Sequence, residues 1–342
     1  MKPIGVGVVI VLAFLILLSL AVVSLSAGST WIAPNRWLTD ICNDNLLSDA
    51  ERTILWRLRL PRILAACLIG SYLAAGGVAF QGLFRNVLAE PFVIGASSGA
   101  ALGVTLAIIF GMQATILGLG STTVMALLGA LAVVAVVLLI GSSLPAPSTV
   151  SLLLAGVVIS SLCAALVAGL VIINQQKGGV ILSWTMGSLA DSHPAGLVAA
   201  VCVGMPGLFL LVFLCRALDA YSLGDITSQS LGLDVTWFRW LLIFAASLCT
   251  AAAVSVAGVI GFVGLIAPHL GRQFVGGRHI RVLPISMLLG AALLLAADLV
   301  ARTVAAPAEL PVGIVTAVVG SPAFLWLLLS SSRQGWHGEG NS

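Results

Sequence analysis

The sequence predicts an all-α, polytopic membrane protein with about ten transmembrane helices. Three observations support this class: 60% of the 342 residues are hydrophobic, only 8% are charged, and long apolar runs recur from Val6 to Leu329. A helix needs about 20 apolar residues to cross roughly 30 Å of hydrocarbon. Strands of a membrane barrel would instead alternate apolar and polar residues. We therefore expect a single transmembrane domain over residues 1–342.

The apolar runs give the order of the spans. The predicted spans are residues 4–27, 60–80, 91–110, 121–141, 150–173, 194–215, 239–257, 259–275, 282–304 and 313–330. The first run exceeds the apolar core of about 7–15 residues that a signal peptide has, so it is interpreted as an uncleaved span. The eighth contains Pro268, which predicts an interrupted helix that is buried in protein or lines a cavity. The Lys and Arg residues divide almost equally between the two sides, so charge alone does not decide the orientation.

Composition and motifs argue against several functions. The net charge of +3 forms no basic stripe, so nucleic acid is not an expected partner. The cysteines form no Cys-x-x-Cys pair and no Cys/His cluster, so no metal site is predicted. The only lysines are Lys2 and Lys177, and neither lies in a phosphate-binding loop, so ATP and magnesium are not expected cofactors of this chain. The spans contain no paired catalytic residues, and an enzyme is not predicted.

A polar segment, residues 216–239, separates two of the spans. It is long enough for two short helices and is expected to lie in water, where it would bind a soluble partner. Gly224 and Gly232 bracket a short helix and permit sharp turns at its ends. Leu231 and Leu233 are expected to enter a groove on that partner. The alternative is an amphipathic helix on the bilayer surface, but the polar face lacks the Lys and Arg typical of one.

Five groups of motifs follow one another along the chain. They are Arg59-Leu-Pro-Arg62, Gln81-Gly-Leu-Phe-Arg-Asn-Val-Leu-Ala-Glu-Pro91 with Gly95-Ala-Ser-Ser-Gly99, Gly261-Phe-Val-Gly-Leu-Ile-Ala-Pro-His-Leu-Gly-Arg272, Asp298-Leu-Val-Ala-Arg302 and Glu309-Leu-Pro-Val-Gly313. From about Leu58 to Leu329 the chain thereby resembles the permease subunits of type II ABC importers, which take up iron–siderophore, cobalamin and haem. One departure is Asn86-Val87-Leu88-Ala89, where the family commonly has Asn-Pro-Leu-Ala.

The resemblance implies a passive subunit of a larger machine. It implies a homodimer around a central path in the cytoplasmic (inner) membrane of a bacterium or archaeon, in contact with membrane lipid. Two ATP-binding-cassette ATPase subunits, which bind ATP and magnesium, would dock on the inner face. A periplasmic or lipid-anchored substrate-binding protein would dock on the outer face. The cargo, and the choice between a homodimer and pairing with a paralogous permease, stay open.

The resemblance also assigns roles to individual residues. Arg59, Arg62 and Arg302 match arginines that receive acidic side chains of the binding protein. Arginine suits that role because it stays charged and binds carboxylate with two hydrogen bonds. The alternatives are that Arg59 and Arg62 anchor a span at the headgroups, and that Arg302 pairs with Asp298 one turn earlier.

The remaining site residues belong to the inner face. The coupling residues, which would contact the ATPase, are Leu223, Gly224, Asp225, Leu231 and Gly232. Asn86 and Leu88 match positions of the cytoplasmic gate, the alternative being an ordinary helix–loop turn. Gln81 is expected either to line the path or to stabilise irregular backbone.

A secondary transporter, coupled to ions and carrying an amphipathic substrate, is the alternative function. It requires buried acidic residues near the middle of the membrane. Asp298 is the one candidate, and Arg302 is placed to neutralise it.

Overall fold

The computed structural model describes residues 5–28, 30–42, 47–116, 118–143 and 149–335. The helices are α1 (Val6–Ser26), α2 (Pro34–Cys42), α3 (Asp49–Arg52), α4 (Leu60–Phe84), α5 (Ala96–Ile109), α6 (Ser121–Ser142), α7 (Thr149–Ile173), α8 (Gln175–Thr185), α9 (Pro194–Tyr221), α10 (Asp225–Ser230), α11 (Val235–Ala257), α12 (Val263–Val275), α13 (His279–Thr303) and α14 (Val312–Gly335). A π-helical turn, Thr53–Arg59, joins α3 to α4, and a 3-10 turn, Pro91–Ile94, precedes α5. The strands β1 (Thr115–Ile116) and β2 (Leu119–Gly120) form a short antiparallel pair.

The predicted all-α membrane fold is confirmed. Seven helices of the described chain are long and apolar enough to cross a membrane, namely α1, the continuous stretch Asp49–Phe84, α6, α7, α9, α11 and α13. Two shorter apolar helices, Ala96–Ile109 and Val312–Leu325, coincide with the third and tenth predicted spans. The 13 residues of α12 coincide with the eighth. Each predicted span therefore corresponds to a helix.

The structure differs from the sequence prediction in three places. The polar segment is shorter than 216–239, because α9 continues to Tyr221 and α11 already starts at Val235; one short helix, α10, replaces the expected two. Pro268 does not interrupt the eighth helix, which runs through it, and the irregular backbone lies before the helix at residues 258–262. Helix α8 lies in a stretch where no helix was predicted.

Helix α4 forms the centre of the bundle and packs against α9, α11, α12 and α13. Its neighbours approach very closely. A Cβ on Gly70 would lie 2.3 Å from the carbonyl oxygen of Gly290, and one on Gly77 would lie 1.8 Å from that of Gly264. Packing through small residues is how membrane helices gain contact without a hydrophobic driving force between them.

The two ends of the bundle differ. At one end, which we call the α10 end, the last turns of α4 and α9 meet α10 and the first turns of α11 and α13. At the other end, the outer end, the last turn of α1 packs with α2 and the π-helical turn. A small second core there contains Ile32, Trp37, Leu47 and Leu55.

Candidate functional site

Helix α10 projects as a short, sharply bounded element. Gly224 has φ +109° and Gly232 has φ +83°, a region that favours glycine, so the predicted turns at both ends are confirmed. The hydroxyl of Ser228 donates hydrogen bonds of 3.0 Å to the carbonyl of Ala220 and 2.6 Å to that of Gly224. The bond to Ala220 attaches α10 to the end of α9, and the bond to Gly224 lies within the turn that starts α10.

An apolar surface lies on and beside α10. Leu223, Ile226 and Leu231 are 64%, 82% and 64% exposed, and we call them the coupling surface. Ile226 was not among the predicted site residues. Leu233, in contrast, is half-buried and packs against the main core. Three large apolar side chains are thus exposed on and beside one short helix, which is typical of a surface that a partner or lipid covers.

Asp225, the first residue of α10, is the centre of a charged cluster. Its carboxylate accepts a hydrogen bond of 2.7 Å from Arg85, and another from Arg239. Arg85 also donates to the carbonyl of Tyr221 at 2.6 Å and lies 4.4 Å from the centre of that ring. Arg239 donates to the Tyr221 hydroxyl at 3.1 Å. Partial burial alone would raise the pKa of Asp225, but the hydrogen bonds and charges of the two arginines outweigh it and lower the pKa.

The α4–α5 loop, residues 85–90, starts at the same arginine. Arg85 ends α4 in a left-handed conformation, with φ +48°. The next residue, Asn86, accepts a hydrogen bond of 2.9 Å from the backbone N–H of Leu88, which forms a tight Asx turn. Asn86 and Leu88 are both exposed. The turn is therefore closed by the Asn86 side chain although the family's proline is replaced by Val87.

Gln81 is buried and lies between α4 and α12. Its amide donates to the carbonyl of Leu265 at 3.2 Å, and its oxygen accepts a hydrogen bond from Arg272. Further along the chain, Glu90 accepts a bond of 3.3 Å from the backbone N–H of Phe262, just before α12. The two side-chain hydrogen bonds of Gln81 therefore join α4 to α12, which is continuous through Pro268.

Arg59, at the outer end, is buried and holds the last turn of α1. Its guanidinium donates to the carbonyls of Leu25 (2.6 Å), Ser26 (3.0 Å) and Thr30 (2.6 Å). The last carbonyls of a helix lack partners within the helix, so a cation is well placed there. The predicted docking residue thus has a clear internal role.

Arg62 and Arg302 belong to a buried network with Asp298. Arg62 donates to Asp298 at 2.8 Å and to Glu309 at 2.7 Å. Arg302 donates to the backbone carbonyl and, at 2.6 Å, to the hydroxyl of Ser24, while its Nε is 3.9 Å from Asp298. The expected pairing of Arg302 with Asp298 is therefore loose, and Arg62 is the closer partner of that carboxylate.

A polar cavity of about 690 Å³ opens at this end. Trp184, Asp191, His193 and Glu309 are among its lining residues. Glu309 is 44% exposed through its side chain, so the Arg62–Glu309 ion pair lies between the buried network and the cavity. Within the described residues, no group of three or more His, Cys, Asp or Glu side chains is arranged to hold a metal ion.

The structure brings together residues that sequence reasoning kept apart or missed. Arg85 and Arg239 were not predicted as partners of Asp225, and Glu309 was not predicted as a partner of Arg62. The sequence offered one weak indication of these contacts. Arg85, Arg239 and Glu309 are charged residues near the ends of apolar runs, where charged residues usually pair. The predicted coupling and gate residues Asp225 and Asn86 are linked through Arg85, which precedes Asn86 directly.

Comparison with known proteins places the chain in a family. The model of the FecCD transport family matches residues 13–330. The hemin transport system permease protein HmuU of Yersinia pestis is 41% identical over 289 residues, which are 84% of this chain and 86% of that protein. The vitamin B12 import system permease protein BtuC of Vibrio cholerae is 37% identical over 320 residues, 91% of each. A solved inward-facing metal-chelate type ABC transporter superposes with a TM-score of 0.84 at 34% identity, covering 95% of this chain and 99% of that one. The chain therefore belongs to the FecCD transport family.

Proposed function

We propose that this chain is the membrane-spanning permease subunit of an ATP-binding-cassette importer and forms the path for a metal chelate such as ferric siderophore, cobalamin or haem. It works as a pair of copies in a bacterial or archaeal cytoplasmic membrane. Two ATPase chains bind ATP and magnesium at the α10 end, and a substrate-binding protein delivers the cargo at the outer end. This chain carries out no chemistry itself. Family membership and the names of its relatives support the proposal.

One contact carries the mechanism: Asp225 of α10 is bound to Arg85, which opens the α4–α5 loop. The coupling surface is on the same short helix as Asp225. A push on Leu223, Ile226 and Leu231 by closing ATPases is therefore transmitted to the residue next to Asn86. Nucleotide energy would in this way bias a two-state assembly between outward- and inward-open forms.

The docking of a binding protein needs a rearrangement at the outer end. Arg59, Arg62 and Arg302 all have internal partners in the protomer. Of their two acidic partners, Glu309 is the more accessible, because its side chain is 44% exposed and lines the outer cavity, whereas that of Asp298 is fully buried. We therefore propose that the binding protein contacts Arg62 before the other two arginines. A carboxylate of the binding protein would replace Glu309 as the partner of Arg62.

Ion-coupled transport finds less support. Asp298 is the buried carboxylate that such a mechanism requires, and its side chain is fully buried. It already accepts a 2.8 Å hydrogen bond from Arg62. A carboxylate neutralised by a fixed arginine is a poor carrier of protons or cations.

The mechanism is tested in vesicles that contain the permease, its ATPase and its binding protein. Asp225→Asn removes the charge but keeps the shape, and we expect ATP hydrolysis to continue while cargo uptake per ATP falls severalfold. Asp234→Asn is the matched control, because Asp234 caps α11 and asparagine is an equally good cap. Equal coupling in both variants would contradict the mechanism. Uphill uptake by this chain alone, driven by an ion gradient, would contradict the whole proposal.

A further inference from the structure

Three exposed arginines outside the charged cluster of Asp225 lie at the α10 end. Arg216 is in the last two turns of α9, and Arg278 and Arg281 are at the start of α13. All three are exposed, and none forms an ion pair with a carboxylate of the described chain. Three unpaired positive charges on one corner of a membrane protein attract anions.

A contact between α9 and α13 brings these arginines to the same corner. Asp219 accepts hydrogen bonds from the backbone N–H of His279 at 2.8 Å and from its Nδ1 at 2.6 Å. Arg216 is one turn before Asp219, and Arg278 directly precedes His279. The carboxylate of Asp219 is thus occupied by His279, and the arginines beside it carry an excess of positive charge.

An apolar stripe leads from the middle of α9 to this corner. Phe209 and Phe213 are 66% and 64% exposed, and their rings are 4.6 Å apart in an edge-to-face arrangement. Arg216 follows on the same side of the helix, since positions three and seven apart share a face. On α13, Ile280 is exposed between Arg278 and Arg281. The charges therefore lie at the end of a surface that faces hydrocarbon.

We propose that Arg216, Arg278 and Arg281 bind the phosphate of an anionic phospholipid whose acyl chains lie against Phe209 and Phe213. Guanidinium groups bind phosphate with paired hydrogen bonds, and basic side chains next to a span favour anionic headgroups. A free phosphate ion makes no use of the two phenylalanines. A soluble ATPase does not reach the two phenylalanines either. Phe209 lies about three turns before the end of α9, which is one of the seven helices of the described chain that can cross a membrane.

The test uses the full chain, purified and placed in nanodiscs with equal amounts of phosphatidylglycerol and phosphatidylcholine. Native mass spectrometry then counts the lipids that each protein retains. We expect phosphatidylglycerol to be enriched on the wild type. The preference should fall roughly fivefold for each arginine that is replaced by glutamine. Arg57→Gln is the matched control, because Arg57 is an exposed arginine near the outer end.

A triple Arg→Lys variant guards against loss of folding, because it keeps the charge and should retain most of the preference. Unchanged enrichment in the triple Arg→Gln variant overturns the proposal. The proposal is also overturned if inorganic phosphate alone raises the unfolding temperature of the wild type as much as phosphatidylglycerol does. If the triple Arg→Gln variant loses the ATPase but keeps its lipids, the corner is a protein contact and the lipid site is refuted.

Discussion

Arg62 and Asp298 form a buried ion pair across 236 positions of the sequence, with 2.8 Å between Nε and Oδ1. Asp298 has no exposed side-chain surface, and Arg62 has 10%. The pair joins α4 to α13, two helices that also meet at Gly70 and Gly290. It is a fixed electrostatic connection near the outer end of the bundle.

The first prediction concerns the stability that this pair contributes. Arg62→Gln leaves the carboxylate of Asp298 buried with only the distant Arg302, and removal of one partner of a buried pair typically destabilises a protein by about 3–5 kcal/mol. We expect a markedly lower thermal unfolding temperature in detergent. Arg57→Gln, at an exposed arginine of the preceding turn, should change it little. Equal unfolding temperatures for the two variants would show that the buried pair is dispensable.

The second prediction separates docking from a purely structural role of Arg62. Glu309→Gln removes the competing carboxylate while Asp298 still holds Arg62. If Arg62 receives an acidic side chain of the binding protein, docking should tighten by up to about fivefold, since an exposed ion pair contributes about 0.2–1 kcal/mol. Surface plasmon resonance with the isolated binding protein measures this change. An unaltered or weaker affinity would leave Arg62 with its internal role only.

The third prediction concerns the coupling surface. Leu231→Ala and Ile226→Ala should each weaken binding of the ATPase subunit about tenfold, because exposed apolar anchors provide much of the energy of an interface. Neither side chain is buried in this chain, so the unfolding temperature should not change. Leu58→Ala, at a 60% exposed leucine of the outer end, is the control and should bind the ATPase normally. A loss as large in the control would remove the assigned role.

The fourth prediction is the pH dependence of coupling. The pKa of Asp225 is lowered below its ordinary value of 3.8, so its ion pairs are fully formed above that value and are lost only as the pH falls through the lowered pKa. The ion pairs of Asp225 should therefore contribute equally to uptake per ATP at every pH between about 5 and 8. Asp225→Asn should lower the ratio by the same factor across this range. A mutational effect that vanishes at pH 5 would mean that Asp225 is already protonated there.

The helices were predictable because hydrocarbon imposes a simple rule on length and polarity. The ends of the helices were harder to predict, and α9 shows why. Asp219 and Tyr221 look like loop residues, yet Asp219 bonds to His279 and Tyr221 is buried beneath two arginines, so tertiary contacts carry the helix further. Helix α8 was missed because its eleven residues contain Gly178 and Gly179, which locally disfavour a helix.

The sequence singled out several charged residues that form contacts in the structure, but it did not predict their partners. The family resemblance assigned Arg59 to docking at the surface, but its partners in the structure are backbone carbonyls 29 to 34 positions away. Backbone acceptors leave no trace in the residue pattern. Likewise, Asp225 and Arg85 are separated by 140 positions, and only the folded chain shows that they meet.

The attachment of α1 has a consequence for biosynthesis. Its last turn is fastened twice, first by Arg59 and then, through Ser24, by Arg302. During translation the first helix enters the bilayer long before α13 has been made. Arg59 emerges from the ribosome soon after α1 and can bind its last turn early, whereas Arg302 can bind it only after α13, the ninth predicted span, has been made. The end of α1 is thus held by one early and one late contact of the nascent chain.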